Sequence, residues 1–291
     1  MYLFYTIGGG LGHLTRFSSF IRTLEIDEPV TIIASSPFAR DERVVDGRHN
    51  ILIPPFRAAK DKESLREWLQ QIMDSLKPQK IFIDAFPAGI LGELTDVFFP
   101  TGAECFLLAR IIKWKQYQQR IPTFHGRFRK VYQLEKLSDD YLDFLANCSD
   151  SIEPITLKLP EGTVSDFDIE SGTWLIVHSG PDSELKAIIE KACQHYDQES
   201  VKPKVVVIYP GKRPDFVPEE FAYSNIYPAF PLFAKAQRVY SAAGFNMVDQ
   251  MRDYRSRHYL MPFERIFDDQ TERCRQHADE FAEILEEPKA K

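Results

Sequence analysis

Ten residues near the start of the chain, IGGGLGHLTR at positions 7–16, constrain the fold more than any other stretch. They follow Tyr2-Leu3-Phe4-Tyr5-Thr6, an apolar and aromatic run without polar alternation that reads as a buried strand. They lead into Leu14, Phe17, Ile21 and Leu24, which recur at the three-and-four spacing of a helix burying one face. The unit is strand, glycine loop, helix. A strand with no polar alternation belongs to a parallel sheet covered on both faces.

The alternation runs on. Residues 30–34 and 50–54 read as strands, 62–76 as a charged helix with a wide apolar stripe from Leu65 to Leu76, and 80–84 and 104–111 as further buried strands. Between about 156 and 171 the chain offers proline, glycine and acids (KLPEGTVSDFDIES) without periodicity, which reads as a linker. Strand patterns resume at 173–178, 204–209, 238–242 and 258–261, with a helix at 183–196 whose Leu185, Ile188, Ile189 and Ala192 face inward. At 291 residues the chain is at the upper limit of what one core serves. The expectation is an α/β protein of two Rossmann-like domains facing a cleft, residues 1–160 and 166–291.

A net charge of -7 argues against a protein whose main task is holding nucleic acid. The first residues lack a basic segment followed by an apolar stretch, and no apolar run approaches the ~20 residues that span a bilayer. A cytoplasmic protein is expected. Cys105, Cys148, Cys193 and Cys274 are far apart and form no C-x-x-C pair, so they read as reduced thiols.

A glycine turn between a strand and a helix N-terminus makes a site for negative charge, because unpaired N–H groups point outward and the helix dipole adds to them. The dinucleotide fingerprint G-x-G-x-x-G needs a glycine where this chain has His13, so NAD binding is disfavoured despite Gly8, Gly10 and Gly12. Gly211-Lys212 is followed by arginine and lacks the earlier glycine of a P-loop, which disfavours NTPase chemistry. His13 therefore carries the information. At the carboxyl end of the first strand, with glycines admitting a substrate to its ring, it is placed to take a proton near neutral pH; a capping or packing role is the alternative. Asp84 ends another strand and suits orienting that ring, or capping the loop before Pro87.

GGGLGHLTR resembles the N-terminal G-x-G-H signature of glycosyltransferases with the two-domain B fold, including the UDP-glycosyltransferases and the enzyme that adds N-acetylglucosamine to lipid I. The UDP-sugar hydrolases of pseudaminic acid synthesis share a similar G-x-G-H-x-x-R. In the second half, SAAGFNMVDQ resembles the family's G-G-x-N-[ST]-x-x-E, and PFERIFDDQTERC resembles its P-x-x-x-x-D-Q-x-x-N-A. The resemblance implies that Gly10 and Gly12, in the N-terminal turn, bind the nucleotide-sugar and that Gly244, Phe245 and Asn246 form the diphosphate turn. It implies that Ser179 and Gly180 give a further phosphate contact, that Gln250 meets the ribose, and that Asp269 and Gln270 meet the donor sugar hydroxyls. The chain departs from the family where Gln250 replaces the ribose-binding glutamate, where Ala242-Ala243 precedes Gly244, and where TERC follows Gln270. It is also shorter than most relatives of this fold.

What the resemblance implies is a glycosyltransferase of the hexosyltransferase kind that moves a sugar from a nucleotide-diphospho-sugar, UDP-linked by preference, to an acceptor hydroxyl with inversion. His13 is then the base, and helix N-termini rather than a metal stabilise the leaving diphosphate. No separate cofactor is expected, and the seven histidines show no metal-ligand spacing. If water replaces the acceptor, the same groups perform hydrolysis; a binding protein without turnover is the third reading. Residues 111–134 contain no acid but hold Lys113, Lys115, Arg120, Arg127, Arg129 and Lys130 among aromatics. This tract reads either as a patch for an anionic acceptor or membrane surface, or as the solvated face of one long helix.

Overall fold

The computed structural model describes residues 1–97, 99–121, 123–159 and 167–286. They divide into two compact units, Met1–Lys158 with Ile266–Asp268, and Leu159–Arg265 with the residues from Asp269 onward. The expected linker at 156–171 falls partly outside the described residues.

Unit 1 contains β1 (Tyr2–Thr6), α1 (Leu11–Thr23), β2 (Val30–Ala34), β3 (Asn50–Leu52), α2 (Lys62–Leu76), β4 (Lys80–Asp84) and β5 (Glu104–Ala109). It continues with α3 (Trp114–Tyr117), β6 (Lys130–Gln133), α4 (Asp139–Asn147) and β7 (Ile152–Pro154). Its sheet is parallel with strand order β3-β2-β1-β4-β5-β6-β7. The chain builds outward from β1 in one direction, then returns and builds from β4 in the other. That reversal between β1 and β4 is where open α/β sheets leave a crevice at their carboxyl edge.

The register explains which side chains reach that crevice. Phe4, Phe82 and Phe106 are partners on β1, β4 and β5 and stack as a ladder, with centroids 6.2 and 4.9 Å apart. Phe17 and Phe20 of α1 close on it edge-on, Phe17 against Phe4 at 4.9 Å and Phe20 against Phe82 at 5.4 Å. Side chains alternate along a strand, so two residues beyond the ladder the same α1-facing side carries Thr6 on β1 and Asp84 on β4. On α1 the residues four before Phe17 and Phe20 are His13 and Arg16. The apolar stripe therefore ends in a polar head opposite a polar strand end. The opposite side of the sheet packs on α2 through Leu65, Leu69 and Met73, all fully buried. Asp61 caps α2 by accepting from Ser64 N–H at 2.8 Å.

Unit 2 contains β8 (Trp174–Val177), α5 (Asp182–Gln198), β9 (Val205–Ile208), β10 (Ala222–Ser224), β11 (Arg238–Ala242), α6 (Phe245–Gln250), β12 (His258–Met261), α7 (Gln270–Gln276) and β13 (Glu283–Ile284). The sheet is again parallel, in the order β10-β9-β8-β11-β12-β13, with its reversal between β8 and β11. Trp174, Ile176, Val205, Val207 and Tyr240 pack on Leu185, Ile188, Ile189 and Ala192 of α5, the inward face expected from the sequence.

The tract at 113–130 corrects the expectation of one long helix. α3 ends after Tyr117, and Trp114 and Tyr117 are buried among Phe86, Tyr141 and Phe267 rather than displayed. Arg127 and Arg129 pair with Asp150, Lys130 pairs with Glu153, and Lys115 lies 3.8 Å from Asp140. Acids from elsewhere in the chain thus pair with Lys115, Arg127, Arg129 and Lys130 in a tract that has none of its own. Among the described residues no helix is long and apolar enough to cross a membrane.

Candidate functional site

The structure brings His13 and Asp84 together at the β1/β4 reversal. His13 is the third residue of α1, and its Nδ1 lies 2.7 Å from Asp84 Oδ2. Asp84 has a fully buried side chain and accepts from four donors: Thr6 Oγ1 at 2.9 Å, His13, Arg16 Nε at 2.5 Å and Arg16 Nη2 at 2.8 Å. Burial alone would raise its pKa. The Arg16 cation overcomes that, with help from the bonds to His13 and Arg16, and holds the carboxyl well below the usual range. An ionised carboxylate only accepts, so Nδ1 of His13 carries the proton and Nε2 is left as the acceptor. Burial lowers the His13 pKa in spite of Asp84, with Arg16 and Arg110 acting in the same direction. The resting ring is a neutral imidazole, 16% exposed, with its basic nitrogen defined.

Gly8 makes room for this arrangement. A Cβ at Gly8 would fall 2.2 Å from His13 Nε2, so the imidazole lies against the loop where a side chain would otherwise be. Ser35, just past β2, ties the loop down by donating to Gly8 O and accepting from Gly8 N–H at 3.0 Å. Gly10 is the N-cap of α1, and no acid stands in that helix's first turn.

A second carboxyl sits on the α2 side of the same strands. Glu93, with no exposure, accepts from Leu91 N–H at 2.7 Å and from Tyr5 Oη, and burial raises its pKa. Gly89 has φ of +79° and passes so close that a Cβ there would lie 2.1 Å from Glu93 Oε1. Glu93 organises the loop after β4 from beneath.

In unit 2 the two glycine turns singled out by resemblance flank that sheet's own reversal. Ser179 and Gly180 follow β8, and Gly244 follows β11, the neighbouring strand. A Cβ at Gly180 would meet His178 Nε2 at 2.7 Å and Glu184 Oε2 at 3.1 Å, whereas a Cβ at Gly244 would meet nothing within 4 Å. Gly244 is the N-cap of α6, with Phe245 buried behind it and Asn246 half-buried. Gln250 lies buried at the far end of α6. Asp269 caps α7, its Oδ1 accepting from Glu272 N–H at 2.9 Å, and Gln270 Oε1 accepts from Phe263 N–H at 2.9 Å, so both brace the loop after β12.

Several members were not foreseen. Arg16 is the main counter-ion of Asp84; it stands at the arginine of G-x-G-H-x-x-R, a resemblance that gave it no role. In unit 2, Glu184 carries Arg265 at 2.5 Å and has a pKa that burial would raise but His178 and Arg265 lower. Arg273, fully buried where the family motif has asparagine, reaches from α7 to Ala243 O at 3.0 Å and so steadies the turn before Gly244. Among the described residues no group of three or more His, Cys, Asp or Glu is placed to hold a metal ion.

Among solved structures, 98% of the chain is similar to 86% of the glycosyltransferase SnogD from Streptomyces nogalater, at 13% identity and a TM-score of 0.60. The spinosyn forosaminyltransferase SpnP is matched over the same shares at 10% identity and a TM-score of 0.63. The UDP-GlcNAc 2-epimerase of Methanocaldococcus jannaschii, in complex with UDP-GlcNAc and UDP, is matched over 88% of its length at 11% identity and a TM-score of 0.58. No protein-family model and no curated protein matches the chain. At these identities the likeness establishes the fold: α/β, two Rossmann-like units, the B fold of glycosyltransferases.

Proposed function

We propose that the chain is an enzyme acting on a nucleotide-diphospho-sugar, UDP-linked by preference, and that it transfers the sugar to an acceptor hydroxyl with His13 as general base. The observation that carries the reading is the His13–Asp84 pair at the β1/β4 reversal, where a buried ionised carboxylate fixes the tautomer that leaves Nε2 basic. As the acceptor oxygen attacks the anomeric carbon, its proton passes to Nε2, the bond to the diphosphate breaks, and the configuration inverts. Asp84 stabilises the imidazolium that forms. Arg16 keeps Asp84 ionised throughout.

The donor is assigned to unit 2. The open backbone at Gly244, with its N–H groups at a helix start, receives the diphosphate, and Gly180 lies beside it on the next strand. The two acids in the first turn of α5 oppose negative charge at Gly180, with one of them offset by Arg265, so the larger share falls to Gly244. Gln250 is assigned to the ribose, and Asp269 and Gln270 to the sugar hydroxyls. No step is routed through a metal or a separate cofactor. Gly10 and Gly12, at the start of α1, are assigned to the nucleotide-sugar as well. Because the structural neighbours include an epimerase, hydrolysis or another nucleotide-sugar reaction by the same groups is the second reading.

The test is incubation with labelled UDP-sugars, with and without a panel of hydroxyl acceptors. Acceptor-dependent consumption supports transfer, consumption with water alone supports hydrolysis, and binding without consumption removes the catalytic reading. His13→Ala is expected to lower the rate about 10²-fold or more while leaving donor affinity nearly intact. An unchanged rate removes His13 from the chemistry.

A further inference from the structure

The carboxylate that orients His13 is saturated, and a second buried guanidinium stands on the next strand. A carboxylate offers roughly four lone-pair sites. Thr6, His13 and two Arg16 N–H groups occupy those of Asp84. Arg110 follows the last residue of β5, two residues beyond Leu108, which is the partner of Asp84 on that strand. Its side chain is only 6% exposed. Adjacent parallel strands lie about 4.8 Å apart, so its long side chain starts within reach of Asp84. A cation arriving there would displace a neutral donor held by one bond rather than Arg16, which is held by two. Of the two neutral donors, Thr6 is buried at the end of β1 beside Asp84, so the partly exposed imidazole is the one that can swing away.

What holds Arg110 elsewhere is Asp268. The two form an ion pair between residues far apart in the sequence. Asp268 is presented by the short segment Ile266–Asp268, which belongs to unit 1. Lys113 N–H donates to Phe267 O at 2.7 Å, Ile112 and Asp268 form an antiparallel bridge, and Phe267 is buried against Phe86 and Tyr117, with ring centroids 5.9 and 5.3 Å away. The segment is fixed by backbone and apolar contacts, so its carboxylate is a rigid anchor.

We infer that Asp268 and Arg110 are a positioning pair for His13: by anchoring the guanidinium, Asp268 leaves the Asp84 carboxylate to the imidazole. The charged groups facing His13 are Arg16 from α1, Asp84 from β4 and Arg110 beyond β5, with Asp268 neutralising the last; β1 presents the uncharged Thr6, and Glu135 beyond β6 is occupied by Ile111 N–H at 2.9 Å. The consequence for turnover rests on the reading of His13 as the base. The effect on the imidazole does not.

The experiment is ¹⁵N NMR of the His13 imidazole in the protein without any sugar, in the wild type, Asp268→Asn, Arg110→Met and the double variant, with near-UV circular dichroism as the check on folding. Asp268→Asn should lose the Nδ1–H tautomer and its hydrogen-bonded proton, and should lower kcat about tenfold. Arg110→Met should keep the tautomer, and the double variant should recover it, because the Arg110 guanidinium is no longer there to compete. Retention of the tautomer in folded Asp268→Asn overturns the inference. So does its loss in folded Arg110→Met or the double variant, since the damage would then be structural. If the tautomer follows the expected pattern while His13→Ala leaves sugar consumption unchanged, the base assignment fails and the positioning pair stands.

Discussion

The first strand-turn-helix of each unit is built to one plan and loaded with opposite chemistry. In unit 1 the third residue of the helix is His13, its partner is the buried carboxylate Asp84, and the first turn of α1 has no acid. In unit 2 the third residue of the helix is Glu184, its partners are the cation Arg265 and, at 3.3 Å, the His178 ring, and Asp182 adds a second acid whose Oδ1 accepts from Tyr209 Oη at 2.6 Å. In both, a glycine lies against an imidazole at a distance no Cβ would tolerate. Only in unit 1 does the imidazole belong to the helix and present a defined basic nitrogen. The lesson is that the glycine turn supplies access, whereas the residue on the third helical position and its counter-charge decide what the turn does.

The sharpest way to break this comparison is to neutralise the two carboxylates. Asp84→Asn leaves Arg16 buried without its counter-ion and is expected to cost about 3–5 kcal/mol in urea unfolding, together with most of the activity. Glu184→Gln leaves Arg265, which is 32% exposed and can turn to water, and is expected to cost roughly 1 kcal/mol. Equal losses would mean that the two turns are equivalent scaffolds.

The glycines come next in size. Gly8→Ala must push the His13 ring off its seat, with an expected loss of about 1–3 kcal/mol and a fall in kcat with little change in donor KM. Gly180→Ala meets His178, which has no part in the proposed proton transfer, so a similar loss of stability should come with a smaller fall in kcat. Steady-state kinetics beside thermal unfolding separates the two. A larger fall in kcat from Gly180→Ala would move the base to unit 2.

These contrasts also show what the sequence could and could not reveal. The buried strands were legible because a parallel sheet covered on both faces needs continuous apolar runs: 30–34, 80–84, 238–242 and 258–261 are strands with those bounds. The strands at 130–133, 152–154, 222–224 and 283–284 were not, because they are short and half-exposed and KVYQ, IEP, AYS and EI carry no such run. His13 and Asp84 were legible one at a time from their strand ends. The ion pairs around them were not, since Arg110 meets Asp268 only through the fold, and the acid-free tract at 111–134 finds its acids in Asp150 and Glu153. Glu93 gave no signal at all: a single glutamate in a loop becomes a buried anchor only when Tyr5 and Gly89 close around it.

Acid sharpens the comparison further. Asp84 and Glu184 both have pKa values held below those of the unfolded chain. The unfolded chain therefore takes up protons first, and each contribution to stability is whole above about pH 4–5 and is lost as the pH falls through the folded value. The loss for Asp84 should be larger and extend to lower pH, because it is fully buried and held by more donors. Melting temperatures measured from neutral pH into strong acid should fall for the wild type, fall much less steeply for Asp84→Asn, and fall nearly as in the wild type for Glu184→Gln. A flatter curve for Glu184→Gln than for Asp84→Asn would reverse the ranking.

The smallest expected effect on stability is also the most discriminating for the donor assignment. Gly244 has φ of -72° and ψ of 148°, a conformation open to any residue, and an added methyl would meet no atom within 4 Å. Gly244→Ala should therefore change unfolding free energy by no more than about 0.5 kcal/mol. Packing within unit 2 gives no reason for a glycine here, in contrast to Gly8 and Gly180, whose backbones are pressed by imidazoles. If the diphosphate approaches this backbone, the same methyl stands where its oxygens must come, and affinity for UDP measured by calorimetry should drop about tenfold or more while the fold is untouched. Undiminished affinity would take the diphosphate away from the β11–α6 turn and transfer the burden to the acid-lined turn at Gly180, where Arg265 would have to supply the positive charge.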